Sequence, residues 1–200
     1  MEKFTTHSGT VALLDRDNID TDQIIPKQFL KRTERTGYAD CLFFDWRFDQ
    51  AGKPVLDFPL NEPQYAGASI LLTGKNFGCG SSREHAVWAL RDFGFRCIIA
   101  ESFADIFANN CVKNGLLTTA LRPSEIARLK ERDAAGRYRL NIDLEKCEIT
   151  GCGEYLARFE VDPFRRTCLL EGLDEIGTTL KHEAQIAAHE QRRKVVHHFR

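Results

Sequence analysis

From Ala68 onward the chain alternates short apolar runs with segments of helical period, and this rhythm constrains its fold more than any other feature. Ser69–Thr73, Arg96–Ala100 and Leu116–Leu121 are too short for ordinary helices and read as buried strands. Arg83–Phe93 carries Ala86, Trp88, Ala89, Leu90 and Phe93 at helix-compatible spacing, and Phe103–Asn114 reads as a second helix. Pro123 opens a third, with Ile126 and Leu129 on one face, ending near Gly136. Strands alternating with helices at these lengths imply βαβ units around a largely parallel sheet, hence an α/β fold.

Outside that region the pattern is looser. Residues 9–15 read as a strand ending in the polar turn Arg16–Asp22. Residues 23–65 are punctuated by four prolines and two glycines, which predicts loops with short helices. The aromatic group Phe43, Phe44, Trp46 and Phe48 reads as core or interface packing; Phe43 and Trp46, with Arg165–Arg166, are candidate partner contacts. Tyr138–Ile142, Cys147–Thr150 and Tyr155–Phe159 read as strands, and Pro163–Glu171, Leu173–Leu180 and Glu183–Val196 as helices. The expected organisation is one domain over residues 1–200. Its core covers about 9–150, and a C-terminal strand and helical extension covers about 151–200.

Charge and cysteine content narrow the function classes. Lys plus Arg (28) nearly balances Asp plus Glu (29), so no global field draws the chain onto nucleic acid or an anionic membrane. Arg192, Arg193, Lys194 and Arg200 read as a solvated helix end, with cations suited to a C-terminus. No apolar run approaches the roughly 20 residues of a membrane helix, and Met1–His7 lacks the apolar stretch of a signal peptide. Seven cysteines, odd in number and scattered, predict reduced thiols in a cytoplasmic protein. Cys147 and Cys152 have no second pair at zinc-site spacing, so no metal site is expected on this chain.

The most informative segment runs from Asn76 to Ala86 and includes Gly78-Cys79-Gly80-Ser81-Ser82-Arg83-Glu84-His85. Two readings stand side by side. Ser81 and Glu84 have capping-box spacing, and the glycines could simply allow a tight turn. Alternatively, a glycine-flanked turn feeding a helix start gathers N–H groups at one point. Arg83 there supplies a fork of donors for a carboxylate. A cation opposes the helix dipole at that position, which favours the second reading. The segment has neither the lysine of a phosphate-binding P-loop nor the G-x-S-x-G spacing of a hydrolase elbow.

Gly80-Ser81-Ser82-Arg83-Glu84-His85 resembles the serine–arginine motif of the aconitase superfamily's swivelling domain. Asp20-Thr21-Asp22-Gln23-Ile24-Ile25-Pro26 resembles its other signature turn. Ser102–Phe107, and Asp162–Arg166 through Gly172–Asp174, extend the likeness from Gly9 to about Leu180. The resemblance implies a swivelling β/β/α domain with a mostly parallel sheet and a C-terminal helical extension. It also implies a hydro-lyase that isomerises a hydroxy-dicarboxylate by dehydration and rehydration. Its [4Fe–4S] cluster sits on a separate large subunit, with no cofactor bound by this chain, in keeping with the absence of cluster spacing.

Carried over by position, Ser81 is the catalytic base and Ser82, Arg83, Thr21 and Asp22 bind substrate, with Asp22 placed to position Arg83. Glu84 and His85 support the turn, and Cys79 is filler. In the loop Lys27–Thr33, Leu30 and Phe29 suit an isopropyl side group, whereas Lys31 and Arg32 suit a third carboxylate. The long C-terminal segment favours the two-subunit, leucine-pathway branch. Sibling enzymes acting on homoaconitate or methylmalate, and a non-catalytic carboxylate-binding module, are the alternatives.

Overall fold

A computed structural model describes residues 1–32, 34–134 and 138–192. The longest strand, β1 (Thr6–Leu14), divides the sheet. On one side lie β2 (Ile70–Thr73), β3 (Cys97–Ala100) and β4 (Leu117–Ala120), all parallel to it. On the other lie β5 (Arg139–Asp143), β6 (Glu148–Gly151) and β7 (Glu154–Arg158), paired antiparallel in succession. The order is β4-β3-β2-β1-β5-β6-β7. Strand β1 is shared lengthwise: Val11–Leu14 pair with Ile70–Thr73, whereas Thr6–Thr10 pair with Asp143–Arg139.

The two halves differ in sequence for a physical reason. Strands β2 and β3 are buried at every position, as parallel strands covered by helices on both faces must be. Strands β5 and β6 alternate buried with more accessible residues, which leaves one face nearer to water. The parallel character expected of the sheet therefore belongs to β1–β4, and the later strands form an antiparallel meander.

The helices are α1 (Thr21–Ile24), α2 (Phe44–Arg47), α3 (Glu84–Phe93), α4 (Asp105–Lys113), α5 (Pro123–Ala134), α6 (Pro163–Glu171), α7 (Glu175–Leu180) and α8 (Glu183–Arg192). Successive strand residues feed opposite faces. Leu71, Ile98 and Ala100 join Ala86, Val87 and Leu90 of α3 and Phe107 and Cys111 of α4 in one cluster. Ile70, Leu72, Cys97 and Ile99 join Ile126 and Leu129 of α5 and Leu169 of α6 in the other. Each such aliphatic side chain stabilises the fold by about 1.5–3 kcal/mol on full burial. Helix α3 stops at Gly94, whose φ of +118° reverses the chain into β3.

One reading of the surface changes. Phe43 is fully buried and stacks on Trp46 at 5.7 Å between ring centroids, so it belongs to the core and not to a partner surface. Trp46 is half-buried beneath the Arg16 guanidinium, 4.3 Å from the ring centroid. The expected end of α5 near Gly136, the last helix beyond Arg192, and Arg193, Lys194 and Arg200 lie outside the described residues. Among the described residues, no helix is long and apolar enough to cross a membrane.

Candidate active site

The loops that leave the carboxyl ends of β1, β2 and β3 meet at one edge of the parallel half, where open α/β sheets place their sites. Backbone hydrogen bonds lace the first two together: Gly74 N–H to Arg16 O (3.1 Å), Asn18 N–H to Lys75 O (2.8 Å), Gly78 N–H to Ile19 O (2.8 Å) and Thr21 N–H to Cys79 O (2.9 Å). The third is tied in by Phe77 N–H to Ser102 O (3.1 Å) and Ala104 N–H to Phe77 O (3.0 Å). Gly78 has φ of +76°, and a Cβ there would overlap the Phe107 ring on α4. Only glycine lets this loop pass so close to the helix.

The lacing brings the two sequence motifs face to face. Ser81 N–H donates to Thr21 Oγ1 at 3.2 Å, and the two hydroxyl oxygens are also 3.2 Å apart. Thr21 is buried, whereas Ser81 and Ser82 are exposed. The Arg83 guanidinium donates to the Asp22 carboxylate, and Lys27 Nζ stands 3.9 Å from the other Asp22 oxygen. One carboxylate thus faces two cations, Arg83 close by and the exposed Lys27 farther off.

Support for the turn comes from α3 and α4. Helix α3 starts at Glu84 with Arg83 as its N-cap and has no side-chain cap, so the capping box that Ser81 and Glu84 could have made is absent. The box forms instead at α1. There Gln23 N–H donates to Asp20 Oδ1, and Asp20 N–H donates to Gln23 Oε1, both at 2.8 Å. Glu84 accepts from Asn114 Nδ2 at 2.8 Å, and Asn110 Nδ2 reaches Ser82 O at 3.5 Å. The His85 ring packs 4.5 Å from Trp88 and 5.7 Å from Tyr38 between centroids. Burial and the nearby Asp20 push the Cys79 thiol up, away from thiolate chemistry.

The structure brings Thr21, Asp22, Ser81 and Arg83 together, with Ser82 next in the chain. Leu30 lies at the end of the short 3-10 helix Lys27–Phe29, half-buried against the core cluster. Sequence reasoning missed Lys27 as a neighbour of Asp22. It also missed Asn18 and Asn76, which take left-handed φ of +55° and +56° and join side chains at 2.9 Å. Their residue type was the available signal, because asparagine tolerates that conformation better than other non-glycine residues.

The cysteines do not form a cluster-binding set. Cys41, Cys97, Cys111 and Cys168 are buried in the core, and burial pushes the Cys97 thiol up to about 12. Among the described residues, no three His, Cys, Asp or Glu side chains gather where a metal ion could be held.

Residues 1–124 match the family described as the aconitase C-terminal domain, so the fold is of the aconitase C-terminal-domain type. Residues 175–197 match a second family, described as the C-terminal domain of the 3-isopropylmalate dehydratase small subunit. A protein named 3-isopropylmalate dehydratase small subunit from Rhodopirellula baltica is 57% identical over 96% of this chain and 100% of its own. One of the same name from Koribacter versatilis is 56% identical over 96% and 98%. A crystal structure of 3-isopropylmalate dehydratase from Methanocaldococcus jannaschii superposes with a TM-score of 0.66 at 29% identity, covering 92% of this chain and 99% of that one. The chain belongs to the family of 3-isopropylmalate dehydratase small subunits.

Proposed function

We propose that this chain is the small subunit of a heteromeric hydro-lyase that interconverts 2-isopropylmalate and 3-isopropylmalate by dehydration and rehydration, in the cytoplasm, within leucine biosynthesis. The observation that carries the reading is the pairing of Thr21 with Ser81 and of Asp22 with Arg83 across two laced loops, in a chain of this family. The reaction removes a proton from a carbon beside a carboxylate, forms the alkene, and expels hydroxide from the neighbouring carbon. Water then adds back with the positions exchanged.

Ser81 Oγ takes the proton as an alkoxide. An ordinary serine hydroxyl is far too weak an acid for this, so its environment must favour the anion. Thr21 Oγ1, 3.2 Å away, can donate to it, and the start of α3 beside Arg83 adds positive potential. Arg83, held by Asp22, presents its remaining donors to a substrate carboxylate, and Ser82 adds a hydroxyl. Leu30 borders the isopropyl group. A [4Fe–4S] cluster, which the large subunit would hold, would supply Lewis-acid chemistry for the hydroxyl. The chain's own cysteines do not fit that group, and the serine–arginine turn is an open half-site that a partner completes.

The test mixes this chain with a large subunit of the same family anaerobically and follows alkene absorbance from 3-isopropylmalate, with each subunit alone as control. Absorbance is expected to rise only in the mixture, and Ser81→Ala is expected to assemble but lower kcat by at least about 10²-fold. Full turnover by that variant would remove Ser81 as the base. Silence of a formed complex with an intact cluster would overturn the substrate assignment.

A further inference from the structure

Large apolar side chains stand in water along one flank of the molecule. Ile176 and Leu180 of α7 are 70% and 58% exposed, Phe164 of α6 is 64% exposed and Ile106 of α4 is 54% exposed. Scattered exposed apolar residues are ordinary, but a continuous group marks an interaction surface. Phe164 and Ile176 border two adjoining hollows that share Lys113 and Asp174 in their walls. One, of about 280 Å³, is bordered by Phe164 and Leu173; the other, of about 220 Å³, by Ile176 and Glu84. Ile176 and Leu180 are four residues apart and share a helix face.

Three observations indicate what covers this flank. First, it runs into the candidate active site: Glu84 follows Arg83 directly, and Ile106 stands one helical turn before Asn110, whose side chain reaches Ser82 O. Second, Ile176 and Leu180 belong to the segment 175–197, which matches the C-terminal domain family of the small subunits and lies outside the aconitase-domain match. Third, residues 181–192 are exposed throughout and α8 has no buried residue. A helix of that length is marginal in water without packing, so it needs a surface that the described residues of this chain do not supply.

We infer that α6, α7 and the outer face of α4 form the surface on which the large subunit docks, with Phe164, Ile176 and Leu180 as apolar anchors. The inference rests on the heteromeric reading above. The Glu84 hollow and the Ile106–Asn110 turn of α4 adjoin the Ser81–Arg83 turn, so a partner that completes the site there stands next to the apolar flank.

The experiment titrates the full-length chain against the large subunit and compares wild type with Ile176→Glu/Leu180→Glu and, separately, Phe164→Glu. The substituted side chains are exposed, so circular dichroism and thermal midpoint are expected to stay at wild-type values. The dissociation constant is expected to rise by about tenfold or more, as for loss of a central interface anchor. Turnover should fall at limiting large subunit and return at saturation, which separates docking from chemistry. Folded variants that bind as tightly as wild type would overturn the inference. So would variants that change only the mass of the free chain, because that assigns the flank to a second copy. A wild-type chain that forms no complex overturns the heteromeric reading itself, and Ser81→Ala, altered in chemistry but not in docking, tells the two failures apart.

Discussion

A methyl group at position 78 would collide with the Phe107 ring while the backbone is held at φ of +76°, so Gly78→Ala combines steric overlap with left-handed strain. It is expected to destabilise the chain by about 2–4 kcal/mol, read as a lower urea midpoint at unchanged slope. In the proposed mechanism Asp22 acts through Arg83, to which it is hydrogen-bonded, and is a positioning residue. In the assembled enzyme Asp22→Asn should raise KM by about tenfold while kcat changes less, with partial rescue by Asp22→Glu. The Ser81–Arg83 and Asp20–Asp22 turns were legible because each motif is contiguous. The Asn18–Asn76 pair was not, because its significance arises only when loops 58 residues apart in sequence meet. Lys27 was not, because it lies outside the Asp20–Asp22 turn and only the fold of that short segment sets it beside Asp22. Phe43 misled because an aromatic cluster in a proline-punctuated stretch looks the same in sequence whether it faces the core or a partner.

At the scale of elements, the βαβ region was readable to within a residue or two. Parallel strands buried on both faces write themselves as unbroken apolar runs such as Ile70-Leu71-Leu72 and Cys97-Ile98-Ile99. The antiparallel meander was visible as strands, but its pairing with β1 was not, because alternation sets the facing of a strand and not its neighbour. The start of α5 carries a pH-dependent contribution. Hydrogen bonds from the Arg122 side chain hold the Glu125 carboxyl below its ordinary value, against the opposing effect of burial. The contribution is therefore present above the unfolded value of about 4.3 and is lost as pH falls through the lower folded value. Glu125→Gln is expected to lower the thermal midpoint at pH 7, with the gap to wild type closing below about pH 4. A gap that stays constant across that range would remove the ion pair as its cause.

For the molecule as a whole, a partner that binds only the folded chain must raise its apparent stability. Large subunit at a hundredfold excess over the dissociation constant should add about 2.7 kcal/mol, seen as a higher thermal midpoint that depends on concentration. Strand β1 has a different consequence, which concerns the time at which the chain is made. Its segment Thr6–Thr10 leaves the ribosome before its partner Arg139–Asp143, which is synthesised more than a hundred residues later. At about 5–20 residues per second the wait is on the order of ten seconds, during which Val11–Leu14 can already pair with β2. For that interval the nascent chain carries a half-satisfied strand edge, open to any extended segment nearby. Residues translated well before β5 thus wait for it to be closed into the sheet, and shielding that edge falls to whatever attends the emerging chain.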